Sequence, residues 1–244
     1  NIGMNSIAMG KRATASAIDA IALGDRAVSA GMGSFAVGFN SNSSGTSSIA
    51  IGDNATSTRT SSVAIGGAVN ATGDYSVAMG WNTTAAGRVS FVFGEASTTV
   101  ADSSTVIGSY SSALMDAGQT PQKSMLLGNY LQSKGGAIGS IIIGQGVGVG
   151  NELLNNNIPN SLMVGFDSNI PTLFVGKSNG IGTVGRVGIG TTNPLQLLTV
   201  DGVTGNVSGA WVSPSDIRLK KDIGHIPDAL GTVLNLEGVT YNWK

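Results

Sequence analysis

Side chains that commonly carry out catalysis are scarce in this sequence. There is no cysteine and a single histidine, His225, so a thiolate metal site and a Ser-His-Asp triad both lack partners within one chain. Glutamate occurs only at positions 95, 152 and 237, which gives little support to the paired carboxylates of a glycosidase. The glycines between 144 and 150 are not followed by the Lys-Ser/Thr of a phosphate loop. We expect no metal and no cofactor.

One short charged segment remains as a candidate for chemistry. It runs from Ser215 through Asp216 to Lys220, and residues 216 to 244 hold 8 of the chain's 27 charged side chains, so a new domain begins here. In the plain structural interpretation, Ser215 or Asp216 caps the following segment and Lys220 is solvated. Further on, Pro227 to Leu236 suits a short helix and Val239 to Trp243 alternates like a strand.

The elements that precede this segment are set by an internal repeat. Eight glycines stand 14 residues apart, and each closes a pentapeptide such as Ser-Ile-Ala-Met-Gly at 6 to 10. They are Gly10, Gly24, Gly38, Gly52, Gly66, Gly80, Gly94 and Gly108. A spacing kept over eight copies is typical of a coiled array rather than a globule.

Each pentapeptide alternates large and small side chains. Bulky residues stand three and one positions before the glycine, as Ile49 and Ile51 do, and alanine stands between them, as at Ala50. This period of two predicts a short strand with one bulky face, and the glycine then turns the chain. A second stretch of small residues follows in every copy, so two short strands and two turns fill each coil.

The size of the coil predicts the oligomeric state. Two strands of four or five residues enclose a thin interior that alanine and serine fill, which leaves no room inside one chain for the bulky columns. Exposed to water, those columns would form an apolar stripe larger than a soluble monomer tolerates. Pairing such stripes recovers about 25 cal/mol per Å². We therefore predict a homotrimer.

Beyond Gly108 the pentapeptides continue at irregular spacing. They end at Gly128, Gly144, Gly165, Gly176 and Gly190. We expect the roll to continue, with the inserts at 109 to 123 and 145 to 160 projecting as surface loops. The alanine column becomes Leu126, Ile142, Met163 and Phe174, which predicts wider packing. A neck with a short strand around 197 to 200 and a glycine-rich connector follows.

Charge and hydropathy set aside two classes of partner. The net charge of -1 offers no basic surface for nucleic acid. No apolar run approaches the roughly 20 residues of a membrane helix, so membrane insertion is not expected. The chain starts at Asn1 without a signal peptide, which indicates a segment of a longer protein.

Two different parts of the sequence resemble known protein families. The sequences Asn-Ser-Ile-Ala-Met-Gly at 5 to 10 and Ser-Ser-Ile-Ala-Ile-Gly at 47 to 52 look like head repeats of trimeric autotransporter adhesins. That resemblance covers residues 5 to about 110 and implies a trimeric left-handed parallel β-roll. Related rolls occur in adhesins and in phage fibres, so it does not identify a ligand.

The C-terminal segment resembles a different family. Ser-Asp-Ile-Arg-Leu-Lys-Lys-Asp-Ile at 215 to 223 and Gly-Val-Thr-Tyr-Asn-Trp at 238 to 243 are similar to the start of the intramolecular chaperone domain of phage tailspikes and tail fibres. The resemblance implies that this domain drives trimerisation and then cleaves itself. By the same resemblance Ser215 is the nucleophile, Lys220 its base, and Asp216 lies beside the cleavage point. A desolvated lysine with a lowered pKa can serve as such a base.

These observations predict an all-β, left-handed parallel β-roll with 14-residue coils and a small α+β C-terminal segment. The expected parts are a regular roll at 1–110, an irregular continuation at 111–190, a neck at 191–214 and an incomplete chaperone domain at 215–244. The expected function is the receptor-binding segment of a homotrimeric phage tail fibre, in the virion, with a host surface receptor and other tail proteins as partners. The alternative is a bacterial cell-surface trimeric adhesin. A third class is an enzyme whose single reaction is self-cleavage.

Overall fold

A computed structural model describes residues 2–114, 123–134, 136–148, 152–202, 221, 224 and 227–240. The chain divides into two compact units, Asn1–Val203 and Thr204–Lys244. Nearly all of the regular structure described lies in the first unit, and it consists of short strands.

The described residues of the first unit form 24 strands. The first sixteen are β1 (Ile7–Met9), β2 (Thr14–Ala15), β3 (Ile21–Leu23), β4 (Val28–Ser29), β5 (Phe35–Val37), β6 (Asn42–Ser43), β7 (Ile49–Ile51), β8 (Thr56–Ser57), β9 (Val63–Gly67), β10 (Asn70–Ala71), β11 (Val77–Trp81), β12 (Thr84–Ala85), β13 (Phe91–Glu95), β14 (Thr98–Thr99), β15 (Thr105–Ser109) and β16 (Ser112–Ala113). The last eight are β17 (Met125–Asn129), β18 (Leu131–Ser133), β19 (Ile141–Gln145), β20 (Leu154–Asn156), β21 (Leu162–Phe166), β22 (Leu173–Val175), β23 (Val187–Ile189) and β24 (Leu198–Val200).

Up to β21, odd-numbered and even-numbered strands build separate sheets. The larger sheet has 14 strands, from β1 through the odd numbers to β21 and then β22, β23 and β24, and the smaller sheet has the 10 even strands from β2 to β20. Up to β21 all pairs are parallel, and in the regular coils each residue pairs with the one 14 positions on, as Ile49 does with Val63. The predicted all-β parallel solenoid is confirmed.

Small side chains fill the space between the two sheets. The alanine between the two bulky residues is fully buried in the coils that contain Ala22, Ala36, Ala50, Ala64 and Ala78. Buried serines line the same interior, and their hydroxyls hydrogen-bond one another, as between Ser57 and Ser62 at 2.6 Å. Most buried hydroxyls find a partner, either in an opposed serine or, as for Ser76, in the carbonyl oxygen of Gly73. The regular roll therefore has a narrow, mixed apolar and hydroxyl core.

The glycine of each pentapeptide is required for two reasons. From Gly10 to Gly144 these glycines have φ between 120° and 144°, a conformation that side chains disfavour. In addition, a Cβ at Gly66 would overlap the carbonyl oxygen of Gly80 in the next coil. The coils can stack at this point only because no side chain is present.

Turns elsewhere in the coil use residues other than glycine. In nearly every coil two such residues adopt the left-handed conformation, with φ of 61° at Arg12 and 57° at Asp19, for example. Their amides are held by the preceding coil, as Arg26 N donates to Lys11 O at 2.8 Å. These hydrogen bonds offset the cost of about 1 kcal/mol or more that a left-handed side chain carries. The sequence predicted two turns in each coil, but not that residues other than glycine would adopt this conformation.

The coils after Gly108 are wider, as predicted. Leu126, Ile142 and Met163 replace alanine in the larger sheet and are buried. The smaller sheet contributes Leu131 and Leu154 to the same core, and both are buried. The insert at 145 to 160 was expected from its composition to be a surface loop. It is more than that, because its strand β20 pairs with β18. The described part of the insert at 109 to 123 likewise contributes β16.

The parallel stack ends at β21, earlier than the pentapeptide pattern suggested. Strand β22 runs antiparallel to β21, and β23 antiparallel to β22. Gly176 follows Gly165 by only 11 residues, too few for a complete coil of 14, so the chain reverses instead of circling the core. Strand β24 appears where a short strand was predicted and pairs in parallel with β23.

The described residues of the second unit contain one helix, α1 (Ala229–Leu234). Asp228 caps it, because the Asp228 carboxylate accepts a hydrogen bond from Gly231 N at 3.2 Å. A helix here is what the sequence predicted. Residues 239 and 240 are not in a strand, and the remainder of the strand predicted for 239 to 243 lies outside the described residues.

Candidate functional site: the apolar face of the larger sheet

Two columns of bulky side chains cover the outer face of the larger sheet. They come from the first and third residues of each strand, because alternate side chains point to opposite sides. The first column contains Ile7, Ile21, Phe35, Ile49, Val63, Val77, Phe91, Thr105, Met125, Ile141 and Leu162, and the second Met9, Leu23, Val37, Ile51, Ile65, Met79, Phe93, Ile107, Leu127, Ile143 and Val164. We call this surface the apolar face.

Side chains on the apolar face bury one another only partly. Along the middle of the stack, residues such as Ile51 and Ile65 are half-buried by the coils on either side. At the first coil, which has a neighbour on one side only, Met9 is 65% exposed, and Phe93 further along is 49% exposed. The interior of the roll is already filled by the alanine column. The bulky columns therefore lie outside the interior of the chain, as the sequence predicted.

The outer face of the smaller sheet is different in chemistry. Its outward column is largely polar and half-buried: Thr14, Val28, Asn42, Thr56, Asn70, Thr84, Thr98, Ser112, Gln132 and Asn155. Two of its members bond to each other, since Gln132 Nε2 donates to Ser112 Oγ at 3.3 Å. This face is suited to water, so the outer faces of the two sheets differ in chemistry.

The candidate catalytic residues cannot be placed beside this face. Ser215, Asp216 and Lys220 lie outside the described residues, as does His225. Within the described ranges no group of three or more His, Asp or Glu side chains is arranged to hold a metal ion. The roles of Ser215 and Lys220 therefore stay predictions from the sequence.

A second polar and aromatic cluster was missed by the sequence analysis. The rings of Tyr110 and Tyr130 stack with centroids 5.2 Å apart and an interplanar angle of 5°. The Tyr110 hydroxyl lies 3.4 Å from Glu95 Oε1, and the negative charge of Glu95 raises the pKa of Tyr110 above 10.0, with smaller contributions from desolvation and Tyr130. Each tyrosine stands two residues after a pentapeptide glycine. This shared spacing is visible in the sequence and could have indicated that the two rings lie close together.

The fold and the apolar face define a parallel β-solenoid of the fibre and adhesin type. Comparison with family models agrees: residues 2–27, 15–41, 43–68 and 70–88 each match the YadA head domain repeat. Residues 215–244 match the chaperone of endosialidase. Comparison with curated proteins found no match to this chain. The chain thus combines adhesin-like head repeats with a segment similar to the chaperone of endosialidase, as both resemblances predicted.

Helices contribute no membrane anchor in the part of the chain that the structure describes. The one described helix, α1, has six residues, far short of the roughly 20 that span a bilayer.

Proposed function

We propose that this chain is the receptor-binding segment of a homotrimeric phage tail fibre. Three copies pack their apolar faces together around a common axis, and the polar faces of the smaller sheets form the outside of the rod. The apolar face carries this proposal. The interior of each coil is already filled by small side chains, so the two columns of Ile, Val, Met and Phe cannot be buried within one chain. The match to YadA head repeats supports three-fold assembly.

The trimer is tested by its mass in solution. One chain has a mass of 24.5 kDa, so sedimentation equilibrium of the wild type should give about three times that value. Ile65→Asp, on the apolar face, should break the assembly, because it places charge in the interface. Thr84→Asp is the matched control, half-buried on the outer face of the smaller sheet, and should leave the trimer intact. A wild-type particle of one chain mass overturns the proposal.

The C-terminal segment is proposed to register the three chains and then to cleave itself. Repeats that are nearly identical can pair one coil out of step at small local cost, so a separate trimerisation domain is useful. The Ser215 hydroxyl adds to a neighbouring peptide carbonyl, Lys220 takes the hydroxyl proton and passes it to the leaving amine, and water then hydrolyses the ester. The match of residues 215–244 to the chaperone of endosialidase supports this assignment.

Denaturing electrophoresis and mass spectrometry test the cleavage. Wild-type protein should yield a fragment ending next to Ser215. Ser215→Ala and Lys220→Ala should remain uncut, whereas Lys221→Ala, the adjacent lysine, should be cut normally. If both dyad variants give the wild-type band pattern, the dyad is not the catalyst.

The setting we propose is the virion, with attachment to a host surface receptor as the work of the fibre. A chaperone segment of the endosialidase kind behind the roll favours this setting over a bacterial cell-surface adhesin. Immunogold labelling decides between them: antibodies to the roll should label phage tails, and labelling confined to bacterial envelopes would establish the adhesin instead.

A further inference from the structure

The tyrosine pair occupies a position that is otherwise held by small or polar residues. Two residues after the pentapeptide glycine stand, in order, Arg12, Arg26, Asn40, Asn54, Ala68, Asn82 and Ala96, and then Tyr110 and Tyr130. The main chain is the same in each case, since Ala96 and Tyr110 have left-handed φ of 48° and 54°. The change is therefore one of side chain alone, on an unaltered turn.

A cavity of about 230 Å³ lies beside these rings, at the turn from the larger to the smaller sheet. We call it the tyrosine cleft. Its lining is Ala96, Thr98, Tyr110, Ser111, Ser112, Tyr130 and Leu153. Ala96 precedes Tyr110 by one coil, and its methyl group leaves open the space that a larger residue would fill. One face of Tyr110 is covered by Tyr130, and 47% of the residue is exposed.

The irregular part of the chain holds the cleft in shape. Leu153 belongs to the insert after Gly144, where Val147 and Glu152 form an antiparallel bridge. The same insert lies against Tyr130, since a Cβ at Gly148 would lie 3.1 Å from Tyr130 Cε2. Leu154 N donates to Tyr130 O at 3.0 Å and fixes the turn. The cleft thus exists only where the 14-residue repeat is interrupted.

Polar groups around the rings can both donate and accept hydrogen bonds. Thr98 and Ser112 contribute hydroxyls to the lining, and the exposed Glu95 carboxylate lies next to the Tyr110 hydroxyl. The Tyr110 hydroxyl donates a hydrogen bond to Glu95 Oε1 at 3.4 Å, and the Glu95 charge raises the pKa of Tyr110 above its ordinary value.

We infer that the tyrosine cleft binds carbohydrate, with one sugar ring stacked on the open face of Tyr110 and its hydroxyls bonded by Glu95 and Thr98. The negative π-face of tyrosine attracts the polarised C–H groups of a sugar ring. A sugar also offers hydroxyls that donate to a carboxylate and accept from Thr98, whereas a phosphate would be repelled by Glu95. The small volume suits one ring of a longer surface glycan. This inference rests on the proposed role in attachment and names its ligand class.

Binding to an array of defined bacterial and animal oligosaccharides tests the inference. Fluorescently labelled wild-type protein should bind at least one saccharide class, and Tyr110→Ala should weaken that binding at least tenfold. Tyr75→Ala is the matched control, because Tyr75 is also an exposed tyrosine with left-handed φ, of 58°, in a different turn of the coil. It should bind as wild type. Equal binding by the Tyr110→Ala protein overturns the inference.

A gentler variant guards against damage to the fold. Glu95→Gln keeps the size of the side chain and leaves both rings in place, so it should retain the wild-type circular dichroism and still lower saccharide affinity several-fold. Unchanged affinity of this variant removes Glu95 from the site and overturns the binding geometry. Sedimentation of each sample separates the two proposals: a trimer that binds no saccharide overturns the carbohydrate site alone, and a wild-type monomer overturns the fibre.

Discussion

The coils before Gly108 and those after it fill the space between their two sheets with different side chains. In the first set, alanine and serine fill a narrow interior, with valine at positions 69, 92 and 106, and the spacing never departs from 14 residues. In the second, Leu126, Ile142 and Leu154 fill a wider interior and the spacing varies. A uniform coil gives a long rod but a uniform surface. Interruptions widen the core and bring an insert against the turn that carries the tyrosine cleft.

The largest expected effect concerns the glycines of the regular coils. Gly66→Ala should abolish folding, because the new methyl group meets the carbonyl of Gly80 and the backbone φ of 132° is strained for alanine. Gly180→Ala is the matched control: φ there is 126°, yet nothing lies within 4 Å of the added Cβ. It should cost only about 1–3 kcal/mol. Far-ultraviolet circular dichroism and urea unfolding measure both. Similar stability of the two proteins would contradict stacking as the reason for the glycine.

Core width is the next contrast to test. Leu126→Ala should lower the free energy of unfolding by about 2–5 kcal/mol, since it leaves a cavity in the wide coils. The opposite change, Ala64→Leu, should cost about 1–3 kcal/mol or more by overfilling the narrow interior. Urea unfolding at one fixed protein concentration checks both values, because the stability of the proposed trimer depends on concentration. A stabilising Ala64→Leu would show that the regular core is not full.

A smaller effect is expected from the serine hydroxyls of the narrow core. Ser62 Oγ bonds to Ser57 Oγ at 2.6 Å and to Arg59 O at 2.7 Å, so Ser62→Ala leaves the Ser57 hydroxyl without its partner. We expect a loss of about 1–3 kcal/mol in the free energy of unfolding. In Ser76→Ala the main loss is the bond to Gly73 O, because Ala71 stands where the partner serine would be. That control should cost less. Thermal unfolding of the pair decides whether the hydroxyl pairing matters.

The smallest effect is confined to the irregular coils and depends on pH. Tyr110 should ionise above pH 10.0, and Glu95→Gln should move its pKa back towards that value, because the raising charge is removed. A raised pKa means that the folded state holds the phenolic proton more tightly, so this contribution to stability is complete below pH 10 and is lost as the pH rises through the folded pKa. Ultraviolet titration at 295 nm follows the phenolate. An identical titration in both proteins would show that Glu95 does not raise the pKa of Tyr110.

Much of the regular roll was predictable from the sequence. The strand at Ile49–Ile51, its outward side chains and its buried Ala50 all follow from a period of two repeated every 14 residues. The wider core at Leu126 was predictable for the same reason. The apolar face follows from these two facts together, since a thin coil cannot enclose large side chains.

Three features were not predictable, and each depends on neighbours distant in the chain. Arg26 adopts a left-handed turn because Lys11, in the preceding coil, accepts its amide. The strand β20 forms inside an apparent loop because β18 offers it an unpaired edge. The tyrosine cleft needs Ala96, Tyr110, Tyr130 and Leu153 from four coils at once.

The sequence by itself determined the length of the coil, the direction of its side chains and the presence of an apolar face on one sheet. These follow from local periodicity and from the size of the residues, and both can be read from the sequence without knowledge of the fold. Only the tertiary structure decided where the parallel stack stops and which turn side chains meet. Those outcomes depend on how one coil lies on the next, because hydrogen bonds and contacts between coils are absent until the stack forms.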